Sequence, residues 1–319
     1  APKPGWPARV LRELGSITEV DSVQLPECLP DDPIVREDWA QYLDCVRYTD
    51  HQVGAILQRL QRSGDLEQTV LFFMTDHGIS HVRHKQFLYD GGLHVPLIVR
   101  GPGITAGEVR NDLVEHIDLS ATSLTLAGIP IPAGMHSKNV FAQDYRPRTS
   151  VFAARDRADE TVDWIRSVRS DRFKYIRNGF PDRPYLQPNA YKDSKAIVQT
   201  MRRLHAEGKL SAVQSLIMAD SRPVEELYDL ENDPNELHNL ADRPEHRETL
   251  RSMRRELIDW QQRAGDTSGP ENEQIYDREV GGTHIEGGKI DQSPEYQANV
   301  ALMKRWRTEK PFRPILDIP

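Results

Sequence analysis

The chain has only two cysteines in 319 residues, Cys28 and Cys45, too few for a disulfide framework. Two free thiols are the expectation, so cysteine usage says nothing about compartment. No apolar run approaches the roughly 18 to 20 residues that cross a bilayer, which excludes a membrane-spanning helix. Positive charge is not in excess. The formal net charge is −8, which argues against a general nucleic-acid partner but leaves room for a local basic cluster and a small anionic ligand. The opening "APKPGWPARV" has neither an initiator methionine nor a secretory apolar core. A removed leader or a longer parent chain is therefore expected. Internal repeats and low-complexity tracts are also lacking.

What is present is an ordinary globular composition, 38% hydrophobic and 28% charged. The length suits two domains, or one large domain with a smaller appendage. "LPDDPIVRED" predicts a helix start, with Asp32 as N-cap and Pro33 in the first turn. Apolar positions from Val35 through Trp39, Leu43, Val46, Val53, Ile56, Leu57 and Leu60 continue it to a Gly64 C-cap. "TVLFFMT" (69–75) and "VPLIVRG" (95–101) are β-branched and aromatic runs suited to strands buried on both faces of a parallel sheet. "DLSATSLTLAGI" predicts a helix capped by Asp118 and closed by Gly128.

Beyond about residue 148 the texture changes. "TSVFAAR", "DWIRSVRSDRFKYIRN" and "ELYDL" alternate in the manner of antiparallel strands. Pro244 to Arg263 is helical, with Leu250, Met253, Leu257 and Trp260 on one face. The last 55 residues lack clear periodicity and predict an extended, surface-hugging tail.

The chemistry concentrates in "LFFMTDHGISHVRHK" (71–85). A strand ends at Asp76 and His77, where a carboxylate and an imidazole can meet a divalent cation, and Gly78 lets the backbone turn. His81, Arg83, His84 and Lys85 follow. An anion held on a metal needs further positive charge on its outer oxygens, and Lys85 is nine residues past Asp76, enough to curl back over the strand end. His81, Arg83 and His84 are expected to be solvated loop residues rather than ligands. A helical zinc site through His77, His81 and His84 is disfavoured, because Gly78 after a buried strand does not continue as a helix.

"TVLFFMTDHG…K…LYDGGLHVPLIVRGPG" resembles the second metal-binding segment of the sulfatases, within the alkaline phosphatase superfamily. "VEHIDLSATSLTLAGIPIP" is similar to the family's D-x-x-P-T-x-L-x-x-A-G-I segment, with Ala121 where proline is usual. The helix before residue 64, "SVRSDRFKYIRN" and "EELYDLENDPNELHNLA" agree, so the likeness covers about residues 20 to 262. It implies an α/β fold: an incomplete alkaline-phosphatase-like mixed or parallel sheet flanked by helices. To that it adds a small C-terminal α+β subdomain with an antiparallel sheet. The expected division is 1–148, 149–264 and a tail over 265–319.

The resemblance makes Asp76 and His77 ligands of a divalent cation, commonly calcium, whose hard-oxygen preference suits the carboxylate better than the imidazole. It makes Lys85 the cation on the sulfate ester oxygens and the helper of the leaving group. His94 stands where arginine is frequent and is a candidate for substrate binding. The implied substrate is a sulfated small molecule or sugar, with the nine-residue spacing from Asp76 to Lys85 pointing to the heparan N-sulfatase-like branch. The family is often exported or lysosomal.

One family element is missing. The nucleophile, a formylglycine made in a C/S-x-P-S-R segment, has no counterpart here. "CLPDD" begins like it, but Asp31 and Asp32 stand where serine and arginine belong, and they are read as helix N-terminal acids. The chain thus resembles the C-terminal part of a sulfatase, its partner being the missing N-terminal half of the catalytic domain. Alone it is expected to be inactive. Two other functions fit the residues: a phosphonate monoester or phosphodiester hydrolase of the same superfamily, and a non-catalytic interaction module.

Overall fold

The structure is a computed structural model that describes residues 6–266, 269–282 and 293–314. A short helix α1 (Trp6–Leu14) packs on the long helix α2 (Pro33–Ser63). The ends of α2 follow the sequence signals. Asp32 Oδ1 accepts the Ile34 amide at 2.9 Å, Pro33 occupies the first turn, and Gly64 adopts φ 81°. There the amide of Asp65 closes on the Leu60 carbonyl at 3.0 Å, satisfying a helix-end acceptor.

Strand β1 (Leu71–Met74), the short helix α3 (Asp90–Leu93) and strand β2 (Leu97–Arg100) come next. β1 and β2 pair antiparallel, Leu71 opposite Arg100 and Met74 opposite Leu97, in a two-stranded sheet. Both are less buried than their apolar runs imply, with Ile98 60% exposed. An apolar run reports that a strand can be covered, not what covers it or which way its neighbour runs.

Helix α4 (Asp118–Leu126) starts at Asp118, but this residue does not cap it. Its buried carboxylate instead accepts from the Lys138 amide at 2.8 Å and from Arg148 Nη2 at 2.7 Å. Two distant loops are thereby tied to one helix end, a long-range use that local sequence does not signal.

The second half is a four-stranded antiparallel sheet in the order β3 (Ser150–Ala158), β4 (Thr161–Ser170), β5 (Phe173–Asn178), β6 (Glu225–Asp229). Between β5 and β6 lie the helices α5 (Ala190–Asp193), α6 (Ala196–Ala206) and α7 (Ala212–Ser215). Successive strand residues face opposite sides. Val168, Tyr175 and Leu227 pack against Leu250, Met253 and Leu257 of α8 (Arg247–Ala264). Ile165, Ile176 and Tyr228 face the other way, into the main core. That core also holds Val82, Phe87, Leu88 and Tyr89, together with Ile197, Val198 and Met201 of α6. The loop after β1 is therefore nailed to the antiparallel sheet. Each such side chain contributes about 1.5–3 kcal/mol of burial.

The expected extended tail is instead helical where it is described. α9 (Glu273–Gly282) and α10 (Pro294–Glu309) bury Tyr276, Tyr296, Met303 and Trp306 against Val162, Trp164 and Phe180. Three of these, Tyr296, Met303 and Trp306, repeat on one helical face, a sparse pattern hidden among charged residues. Among the described residues no helix is long and apolar enough to cross a membrane. Cys28 and Cys45 are both free thiols.

Candidate active site

β1 delivers Asp76, His77 and Gly78 to a tight turn. Gly78 donates its amide to the Gly92 carbonyl at 3.0 Å, and a Cβ placed on it would lie 1.9 Å from the Gly91 carbonyl oxygen. Only glycine permits this backbone approach. The D-H-G and Y-D-G-G segments therefore form one packed unit.

The Asp76 side chain is 86% exposed, and its Oδ1 accepts the His77 amide at 3.1 Å. His77 Nδ1 lies 2.7 Å from the Gly78 carbonyl oxygen. A carbonyl only accepts, so Nδ1 carries a proton, and in the neutral ring the lone pair is on Nε2. That nitrogen stands 3.5 Å from Asp76 Oδ2, the spacing of adjacent ligands around one ion. Donor types and placement thus fit two positions of a divalent cation's shell. Among the described residues no group of three His, Cys, Asp or Glu side chains completes one.

After the turn, the chain curls back. The Lys85 amide donates to the Ile79 carbonyl at 2.9 Å, returning Lys85 to the base of the D-H-G turn. Two non-glycine residues near it have left-handed backbones, Arg83 (φ 71°) and Gln86 (φ 79°). Such conformations cost roughly 1–2 kcal/mol each and persist only where the surroundings over-determine them. Here Arg83 donates to the Glu236 carbonyl and lies 3.9 Å over the Tyr89 ring. The Gln86 carbonyl accepts from Arg155 at 2.6 Å.

The other basic residues of this loop are not solvated, contrary to the sequence expectation. His81 and Arg83 are 5% and 7% exposed. His81 Nε2 lies 2.6 Å from Asp38 Oδ2 of α2. Burial drives the His84 imidazole down to about 4, so it is neutral at pH 7, and it donates to the Val82 carbonyl at 2.7 Å. These side chains are internal struts, and their tertiary partners lie far off in sequence.

Lys85 points its ammonium at the Tyr191 ring, 5.0 Å from the centroid. The Tyr191 hydroxyl is 2.8 Å from Ser80 Oγ, joining α5 to the same loop. Neighbouring Lys192 is buried and donates to the His81 carbonyl at 2.8 Å. Sequence reasoning missed Tyr191, Lys192 and Lys195. The one available signal was three such residues in "YKDSK", and nothing local ties that stretch to residue 85. Asp38 was missed too, though an acid within the apolar stripe of α2 is a readable anomaly.

His94 is set apart from this cluster. Its side chain is 74% exposed, with Nδ1 3.7 Å from Asp90 Oδ2. It lines a cleft of about 670 Å³ with Asp90, Arg169, Asp171 and Arg172, a lining that includes none of Asp76, His77 and Lys85.

A family model described as Sulfatase matches residues 16–129, and one described as N-sulphoglucosamine sulphohydrolase, C-terminal, matches residues 77–185. An ulvan-active sulfatase of Formosa agariphila is 38% identical over 254 residues, covering 79% of this chain and 43% of the relative. The N-sulphoglucosamine sulphohydrolase of Homo sapiens is 28% identical over 253 residues, covering 75% and 50% respectively. Among solved structures, a 2-O GAG sulfatase superposes with TM-score 0.55 at 20% identity, over 82% of this chain and 54% of that one. A phosphonate monoester hydrolase of Agrobacterium radiobacter gives 0.52 at 20% identity, over 72% and 42%.

These likenesses define the fold as alkaline-phosphatase-like α/β. Within that class, the chain belongs to the sulfatase family, a family of hydrolases. It spans about half the length of the curated relatives it matches.

Proposed function

We propose that this chain forms one wall of the active site of a sulfuric ester hydrolase acting on sulfate esters or sulfamates of sugars. The D-H-G turn carries the proposal. It sets an exposed carboxylate and an imidazole lone pair 3.5 Å apart, with Lys85 folded back onto the same turn. The relatives' names support the substrate class, since one is an ulvan-active sulfatase and another an N-sulphoglucosamine sulphohydrolase. The heparan N-sulfatase-like branch and an exported location belong to the same proposal.

In this proposal Asp76 and His77 hold a divalent cation, calcium by family likeness, with the Asp76 carboxylate as its oxygen ligand. A cation held by Asp76 and His77 would draw charge from the sulfate oxygens and so lower the barrier to nucleophilic attack on the sulfur. Lys85 Nζ contacts an outer sulfate oxygen and steadies the charge that develops on the leaving oxygen. The Gly78–Gly92 contact holds the turn rigid, so neither donor has to reorganise during the reaction. The formylglycine nucleophile is assigned to a C/S-x-P-S-R segment, which these 319 residues do not contain. Residues 1–319 alone are accordingly proposed to be inactive.

The test is hydrolysis of an aryl sulfate against an aryl phosphodiester by the protein from its complete coding region. Faster sulfate turnover supports the proposal. Preference for the phosphodiester assigns the site to phosphonate or phosphodiester chemistry. Sulfate turnover by residues 1–319 alone would sink the assignment of the nucleophile to another segment.

A further inference from the structure

Beside Lys85 stands a second lysine that the proposed chemistry does not use. Lys195 is 8% exposed, and its ammonium lies 4.4 Å from the centroid of the Tyr191 ring that Lys85 also approaches, at 5.0 Å. Among the described residues neither ammonium has an ion-pair carboxylate. The neighbouring acid is Asp38, whose carboxyl is held down, against burial, by its hydrogen bond to His81 and in part by Lys195. Lys192 adds a third ammonium, turned to the His81 carbonyl.

A lysine so nearly buried with no carboxylate in ion-pair contact is costly to keep in a fold. It is the more unusual in a chain of net charge −8. The field shows on Tyr191. Burial raises its phenol, yet the Ser80 hydroxyl and the two lysines outweigh that and hold it below the ordinary tyrosine value. What Lys85 and Lys195 lack among the described residues is an anion in direct contact, and a sulfate on Lys85 would supply only one.

We propose that Lys195 is a specificity residue, pairing with Lys85 across Tyr191 to select a sulfated sugar that carries a second anionic group. The identity of the first anion rests on the sulfatase function above. Because the two ammonium groups share one ring, the two anions sit on one sugar or on adjacent ones. The second is a sulfate or a carboxylate, both of which offer oxygens to an ammonium. Tyr191 and Ser80 are positioning residues, and Lys192 braces the loop beneath.

Calorimetric titration of the protein from its complete coding region tests this. The three probes are N-acetylglucosamine 6-sulfate, glucosamine 2-N,6-O-disulfate, and a monosulfated disaccharide bearing a uronate. At least one doubly anionic probe is expected to bind about tenfold tighter than the monosulfate. The arm that gains identifies the second anion as sulfate or carboxylate. Lys195→Gln should bring that ratio to about one, and Lys195→Arg should keep it. Equal affinity for one and two anions, a ratio that survives Lys195→Gln, a ratio lost in both variants, or no binding overturns the proposal. Aryl sulfate hydrolysis separates the two ideas. Turnover without the ratio sinks only the second-anion site, and the ratio without turnover sinks only the sulfatase assignment.

Discussion

The amide of Gly78 donates to the carbonyl of Gly92 at 3.0 Å, so that the turn after β1 rests directly on the backbone of α3. A Cβ on Gly78 would lie 1.9 Å from one backbone atom and 2.8 Å from two more. No side-chain rotation relieves a clash with backbone. Gly78→Ala is expected to cost about 2–4 kcal/mol in urea unfolding, or to shift the turn and abolish activity. Gly134→Ala is the control, because nothing lies within 4 Å of its Cβ position, and it should stay within about 0.5 kcal/mol of the parent.

The proposed chemistry predicts a split between two variants. Asp76→Asn removes a charged metal donor, so activity should return partly at raised calcium concentration. Lys85→Ala should lower kcat/KM about a hundredfold or more, and calcium should not restore it. Rescue of both variants by calcium, or of neither, would contradict these roles. Steady-state kinetics across a calcium series is the measurement.

Asp229 gives a dependence on acid. Hydrogen bonding from Arg172 pulls its carboxyl down to about 2, against burial, with Asn232 helping. The folded pKa is thus below the unfolded one. Its stabilisation is complete above the ordinary aspartate range and disappears as pH falls towards about 2. Urea midpoints between pH 5 and pH 2 should fall less steeply in Asp229→Asn than in the parent.

Lys192 acts at the other end of the scale. Burial first, and then Lys195, Arg155 and Lys85, lower its ammonium to about 7. Between that value and the ordinary lysine range the unfolded chain binds more protons, so stability rises with pH. The slope is at most about 1.4 kcal/mol per pH unit. Lys192→Met should flatten it, as read from urea midpoints between pH 7 and pH 10.

The termini of α2, the strand ending at Asp76, the alternation beyond residue 148 and the face of α8 were all legible in the sequence. Each is set by contacts within a few residues: a cap, a proline, a glycine with positive φ, or a repeat of apolar positions. The proposed metal donors were legible for the same reason, since Asp76, His77 and Gly78 are consecutive. The helices α9 and α10 were not, because their buried positions are sparse among charged ones. Asp118 misled for a related reason: it looked like a cap but serves two remote loops.

By itself the sequence determined where helices begin and end, the order of strand and turn around Asp76, and the family to which those motifs point. The tertiary structure alone decided that β1 and β2 run antiparallel, that His81 and Arg83 are buried struts, and that His84 is half-buried beside them. It alone decided that Lys85 and Lys195 meet at Tyr191, more than a hundred positions beyond Lys85. The physical reason is range. Caps, turns and periodicity are local interactions written in neighbouring residues, whereas the partner of a buried charge is chosen by which distant surfaces the core brings together.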